Sequence, residues 1–143
     1  MLSDGDRIRN LLGRYCDLMD AGDFAAVGVL FADGCLADEH GTELARGRDA
    51  VAAFCASAAQ LHGGSPRTKH LVLNTEIDDP EDDGSVTTRS SYLVLQATEG
   101  LPLQPIITGR YVDRFERDRH GWHFAERRFA VDLVGDLSRH LTF

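Results

Sequence analysis

Apolar residues keep helical spacing up to a loop at residues 62–66 and strand spacing after it. Residues 3–19 read as an amphipathic helix. Ile8, Leu11, Leu12, Tyr15, Leu18 and Met19 fall on one stripe, with Arg7, Arg9, Asn10, Arg14 and Asp17 elsewhere. Ala21-Gly22 breaks that pattern. Asp23 is placed to cap a second, short helix from Phe24 to Phe31, which Asp33-Gly34 closes. An extended piece from Cys35 to His40 turns at His40-Gly41. Gly47 then precedes a third helix over residues 48–61, with Val51, Phe54, Cys55 and Ala58 on one side. The run His62-Gly63-Gly64-Ser65-Pro66 is a loop.

Four strands follow. Thr68–Ile77 is the first, ended by an acidic turn at residues 78–84. Ser85–Thr98 is the second, with Val86, Thr88, Ser90, Tyr92, Val94 and Gln96 on one face. Glu99-Gly100-Leu101-Pro102 connects it to a third, Gln104–Arg117. Asp118-Arg119-His120-Gly121 turns the chain into a fourth, Trp122–Leu133. Helices first and hairpin-linked strands afterwards predict an α+β fold with a mostly antiparallel sheet.

Composition narrows the setting. The 143 residues suit a single domain spanning 1–143. A net charge of −8 with no basic run disfavours nucleic acid and anionic membrane as partners. Cys16, Cys35 and Cys55 are odd in number and share no metal-type spacing, so they read as buried thiols in a reducing compartment. With no apolar leader or span, a cytoplasmic location is expected.

Several segments, in this order, resemble the SnoaL-like branch of the nuclear-transport-factor-two-like superfamily. They are Tyr15–Asp20 with Asp23 and Phe31-Ala32-Asp33, Gly47 before a helix holding Ala50 and Phe54, and Lys69-His70-Leu71-Val72-Leu73-Asn74. Gly109-Arg110-Tyr111-Val112-Asp113 and Gly121-Trp122-His123-Phe124 with Arg127 complete the set. The resemblance implies a cystatin-like, cone-shaped curved sheet whose pocket is closed by the N-terminal helices. Relatives that it brings in include scytalone dehydratase, hexachlorocyclohexane dehydrochlorinase, limonene epoxide hydrolase, ketosteroid isomerase and polyketide cyclases. Relatives without catalysis also exist, so fold sets a menu of functions and does not choose among them.

Within that frame His70 is the candidate general base, because a neutral imidazole takes a proton near pH 7. The resemblance pairs it with Asp20, at the end of the first helix, as the group that orients its ring. On an ideal helical wheel Asp20 lies off the stripe centred on Tyr15, so it is expected to reach the cavity only if the helix ends or bends near Met19. Tyr15 is a candidate to hold a substrate oxygen. Asn74, on the face shared by His70 and Val72, is a candidate substrate contact, as are Phe54, Tyr92, Tyr111 and Trp122. Arg127 and Arg128 point to opposite faces, so one of them can look inward; the sequence does not say which, and Arg127 is a candidate substrate contact. The remaining histidines, His40, His62, His120, His123 and His140, lack metal-ligand spacing, and neither a metal nor a cofactor is expected.

The leading expectation is a cofactor-independent lyase or isomerase (dehydratase- or cyclase-like) acting on a small apolar or cyclic substrate. The alternatives are a non-catalytic ligand-binding or assembly module and an epoxide-hydrolase-like hydrolase. A homodimer or homotrimer is expected through the outer face of the sheet. That face would carry Leu93 and Leu95 with either Ile106 and Val112 or Ile107 and Phe115.

Overall fold

In the computed structural model, which describes residues 1–143, Ser3 starts the first helix with a reciprocal cap. The Ser3 hydroxyl accepts the Asp6 N–H, and the Asp6 carboxylate accepts the Ser3 N–H. This helix, α1, runs Asp4–Ala21 and ends where Gly22 takes a left-handed φ of 71°. It does not stop at Met19. The side chains it buries are Ile8, Leu12, Tyr15 and Cys16, so the inner stripe is centred between Tyr15 and Cys16. Ile8, Leu12, Cys16 and Asp20 form one row at four-residue spacing, and Asp20, still within the helix, follows Cys16 and is half-buried.

Asp23 caps α2 (Phe24–Leu30) by accepting the Ala26 N–H at 3.1 Å. A short β1 (Cys35–Asp38) pairs antiparallel with β2 (Glu43–Arg46), a strand the sequence pattern does not announce. The third helix, α3, covers Arg48–Ala58 and stops three residues before the expected end. Gly28 lets α2 cross the start of α3, because a Cβ there would fall 2.3 Å from the Arg48 carbonyl oxygen.

The long strands are β3 (Thr68–Ile77), β4 (Val86–Thr98), β5 (Leu101–Asp118) and β6 (Gly121–Val134). They join β1 and β2 in one six-stranded sheet of order β2-β1-β6-β5-β4-β3. Only the β1–β6 pairing is parallel. The fold is therefore the α+β class expected, with three helices against a mostly antiparallel sheet.

Two irregularities change which residues face inward. Between Val94↔Ile107 and Leu95↔Pro105 the register slips, leaving Ile106 as an extra residue. Ile106 and Ile107 are both buried as a result, and Phe115 is fully buried while Val112 is exposed. Neither alternating set proposed for an outer apolar face survives intact. In β3 the register slips between Leu73 and Glu76, where Asn74 adopts φ 56°.

Phe31, Phe115 and Phe124 anchor the larger apolar cluster with Ile8, Leu12 and Val27, and a smaller one gathers Tyr92, Val94, Ile106, Ile107 and Tyr111. All three cysteines are free and buried. No helix is long and apolar enough to cross a membrane.

Candidate active site

Helix α1 packs on β3, and that contact brings Asp20 to His70. Asp20 Oδ1 lies 2.6 Å from His70 Nδ1. The same carboxylate accepts the backbone N–H of His70, 3.0 Å from each oxygen, and the Thr68 hydroxyl at 3.0 Å. A carboxylate receiving three donor groups is held rigidly, and it accepts from Nδ1–H, which leaves Nε2 as the open lone pair of the neutral ring. Nε2 of His70 makes no hydrogen bond within the protein and is not a buried orphan.

His70 lines a cavity of about 460 Å³ bounded by both apolar clusters, a volume within the ~300–1,000 Å³ of small-molecule sites. Tyr15, Phe54, Tyr92 and Tyr111 line it too, with Met19, Ile107, Phe129 and His140. Sixteen of its eighteen lining residues are hydrophobic, and the other two are His70 and His140. Asp20 is not on the wall; it stands behind His70.

Behind the tyrosines lies a second charged layer. Arg127 is the inward arginine, fully buried and paired with the equally buried Asp113 through Nε at 2.8 Å and Nη2 at 3.0 Å. Its guanidinium carbon sits 3.6 Å from the Tyr111 ring centre and 4.3 Å from that of Tyr15. Arg128 turns outward to Glu126. Burial pushes the Tyr15 and Tyr111 phenols well above their ordinary value, so both stay protonated near neutrality despite the nearby cation. Tyr92 is raised to about 12, again chiefly by burial, and its hydroxyl donates to the Ala130 carbonyl at 3.0 Å.

Three candidates stand elsewhere. Asn74 is exposed, because the slip at Leu73/Glu76 turns it off the His70 face; Thr75 instead meets Ser90 at 3.1 Å. Trp122 lies away from the cavity, donating its indole N–H to Asp4 at 3.0 Å under the Arg117 guanidinium. Arg127 does not reach the wall, since Tyr15 and Tyr111 cover it. At the surface, ligand atoms of Asp33, Asp118 and His123 come within 4.8 Å of one another, a grouping that sequence spacing did not reveal.

Sequence reasoning passed over His140. It lies in a C-terminal segment of mixed polar and apolar residues without helical or strand periodicity, so no local signal marks it. The ring is buried, 6.1 Å from that of His70 between centres, at 65°.

The SnoaL-like domain model matches residues 1–128, nearly all of the chain that carries this arrangement. The chain belongs to the SnoaL-like domain family. Among solved structures, this SnoaL-like chain is similar to an NTF2-like protein with a cystatin-like fold from Novosphingobium aromaticivorans. The two are 26% identical with a TM-score of 0.73, over 95% of this chain and 86% of that one. It is also similar to a variant of Rv3472, a function-unknown protein from Mycobacterium tuberculosis, at 26% identity and TM-score 0.71, over 90% of this chain and 71% of that one. ActVI-ORFA from Streptomyces coelicolor shares the fold at 21% identity and TM-score 0.70, over 87% and 94% of the two chains. No curated protein matches the sequence.

Proposed function

We propose that this SnoaL-like protein is a cofactor-independent lyase or isomerase acting on a neutral, largely apolar cyclic molecule with a carbonyl group. One observation carries the reading: His70, whose ring is fixed through Nδ1 by Asp20 and whose Nε2 has no partner in the protein, lines an apolar cavity. His70 Nε2 takes the proton from the carbon beside the carbonyl. The C–H electrons become a C=C bond and the carbonyl π electrons move to oxygen. Asp20 stabilises the imidazolium that forms. In a β-hydroxy ketone the electrons return, the β hydroxyl leaves, and His70 gives it the same proton to release water. The protein ends unchanged. An isomerase would instead return the proton to another carbon.

The cavity wall bears no carboxylate, which favours this reading over an epoxide-type hydrolase. The free Nε2 favours it over a pure binding module. Loss of water from a panel of neutral cyclic β-hydroxy ketones, followed as enone absorbance, tests it. His70→Gln should slow any turnover by about 10²–10⁴. Turnover unaffected by that change would overturn the reading.

A further inference from the structure

His140 is a buried histidine whose ring makes no hydrogen bond within the protein, unlike His70, the other buried histidine, whose ring is bonded to Asp20. Its Nδ1 is shielded from solvent and has no partner in the protein. Buried polar atoms without partners are rare in folded proteins and call for an explanation.

Fraying does not supply one. Chain ends are usually loose, yet the segment carrying this ring is tied down on both sides. The His140 carbonyl accepts the Gln60 N–H at 2.8 Å, and the Gln60 side-chain amide donates to the Ser138 carbonyl at 2.8 Å. The Arg139 carbonyl meets Gln96 Nε2 at 2.9 Å and His62 Nε2 at 2.8 Å. Thr142 bonds Ser57 through its hydroxyl at 2.7 Å and Ala58 through its N–H at 2.9 Å. Backbone and side chains of this segment are thus satisfied on either side of one imidazole that is not.

We propose that His140 is a second catalytic imidazole of the cavity, donating its ring N–H to the substrate's carbonyl oxygen while His70 takes the proton from the adjacent carbon. The proposal rests on the proton-abstraction reading of His70. Geometry assigns the two rings opposite roles. His70 is locked as an acceptor at Nε2 because Asp20 holds the proton on Nδ1. His140 has no carboxylate bonded to either nitrogen. Leaving the shielded Nδ1 as a bare lone pair costs less than stranding an N–H there, so the proton sits on Nε2. Burial and the neighbouring His70 also keep this ring neutral, which suits an uncharged donor to an oxygen whose charge grows during reaction. The two rings stand edge to face with centres 6.1 Å apart and line the same cavity, so one ligand there borders both.

The test uses full-length protein labelled with ¹⁵N-histidine and the unreactive enol mimic 2-naphthol, a neutral fused-ring alcohol. Comparison with His140→Phe assigns the His140 signals. The expected result is a saturable downfield movement of the His140 ring N–H on adding 2-naphthol, with its proton on Nε2. His140→Phe should raise the Kd for 2-naphthol roughly tenfold, as for one hydrogen bond lost. Unmoved His140 signals at millimolar 2-naphthol would overturn the proposal, whether or not the variant folds. So would a proton on Nδ1. Turnover separates this from the reading beneath it. If His70→Gln abolishes turnover while the His140 signals stay still, His140 fails and the base stands. If the His140 signals respond while His70→Gln is fully active, the base fails and the donor stands.

Discussion

Asp20 holds His70 twice, through the ring at 2.6 Å and through the backbone N–H at 3.0 Å, so the carboxylate fixes both where the ring starts and how it is turned. Asp20→Asn keeps the shape and loses half of this. Its amide oxygen can take the place of Oδ1 and keep its donors, but its NH₂ group then replaces Oδ2 against the His70 backbone N–H, and the negative charge that would stabilise the imidazolium is gone. Turnover should fall by about 10²–10⁴ with the fold retained. Asp20→Asn with His70→Gln should be little worse than either alone, because the two act as a unit. Steady-state kinetics of the four forms check this; multiplying losses would show independent roles.

The Asp113–Arg127 pair predicts a stability effect with a particular shape. Arg127→Met strands a fully buried carboxylate, which costs about 3–5 kcal/mol. Adding Asp113→Leu should recover most of the loss, since neither charge then remains. Urea unfolding of the two variants measures it. A double variant as unstable as the single would mean that the guanidinium's contact with the Tyr111 and Tyr15 rings matters more than its charge balance.

Much of this arrangement was legible in the chain. The bounds of β3 were, because turn residues punctuate both ends, and so was the Asp20–His70 partnership, through resemblance. What escaped did so for local physical reasons. A stripe centred on Tyr15 leaves Asp20 outside it, whereas Cys16 is buried as well and shifts the inner face of α1 towards the row that ends in Asp20. Alternation misled at Asn74 and Ile106, since one extra residue in a strand reverses the faces beyond it. β2 is too short and too exposed to show a pattern, having one buried residue in four. His140 was invisible because tertiary hydrogen bonds, not periodicity, hold its segment.

Gly109 is a further consequence of close packing. A Cβ there would lie 1.9 Å from the Ala130 carbonyl oxygen and 2.5 Å from the Tyr92 hydroxyl, the two atoms joined by a hydrogen bond across the sheet. Gly109→Ala should therefore push Tyr92 off its partner and out of its stack with Tyr111, whose ring centres are 4.6 Å apart. A loss of about 1–3 kcal/mol is expected in thermal or urea unfolding. Gly13→Ala, with open space around its Cβ position, is the control and should be neutral or slightly stabilising.

The last expectation concerns pH. His140 is lowered from an ordinary 6.5 to about 4, first by burial and next by His70, with Asp20 pulling it partly back. His70 on β3 and Asp20 on α1 are the titratable groups that act on it. A histidine depressed in the folded state binds its proton more readily when unfolded. Its stabilising contribution is therefore complete above about 6.5, declines as pH falls towards about 4, and is gone below that. At its full extent the effect is on the order of 3 kcal/mol. His140→Phe removes this titration and keeps a ring of similar size. Unfolding free energies measured from pH 7 to pH 4 should fall less steeply in the variant than in the parent. Parallel curves would show that His140 titrates alike in both states.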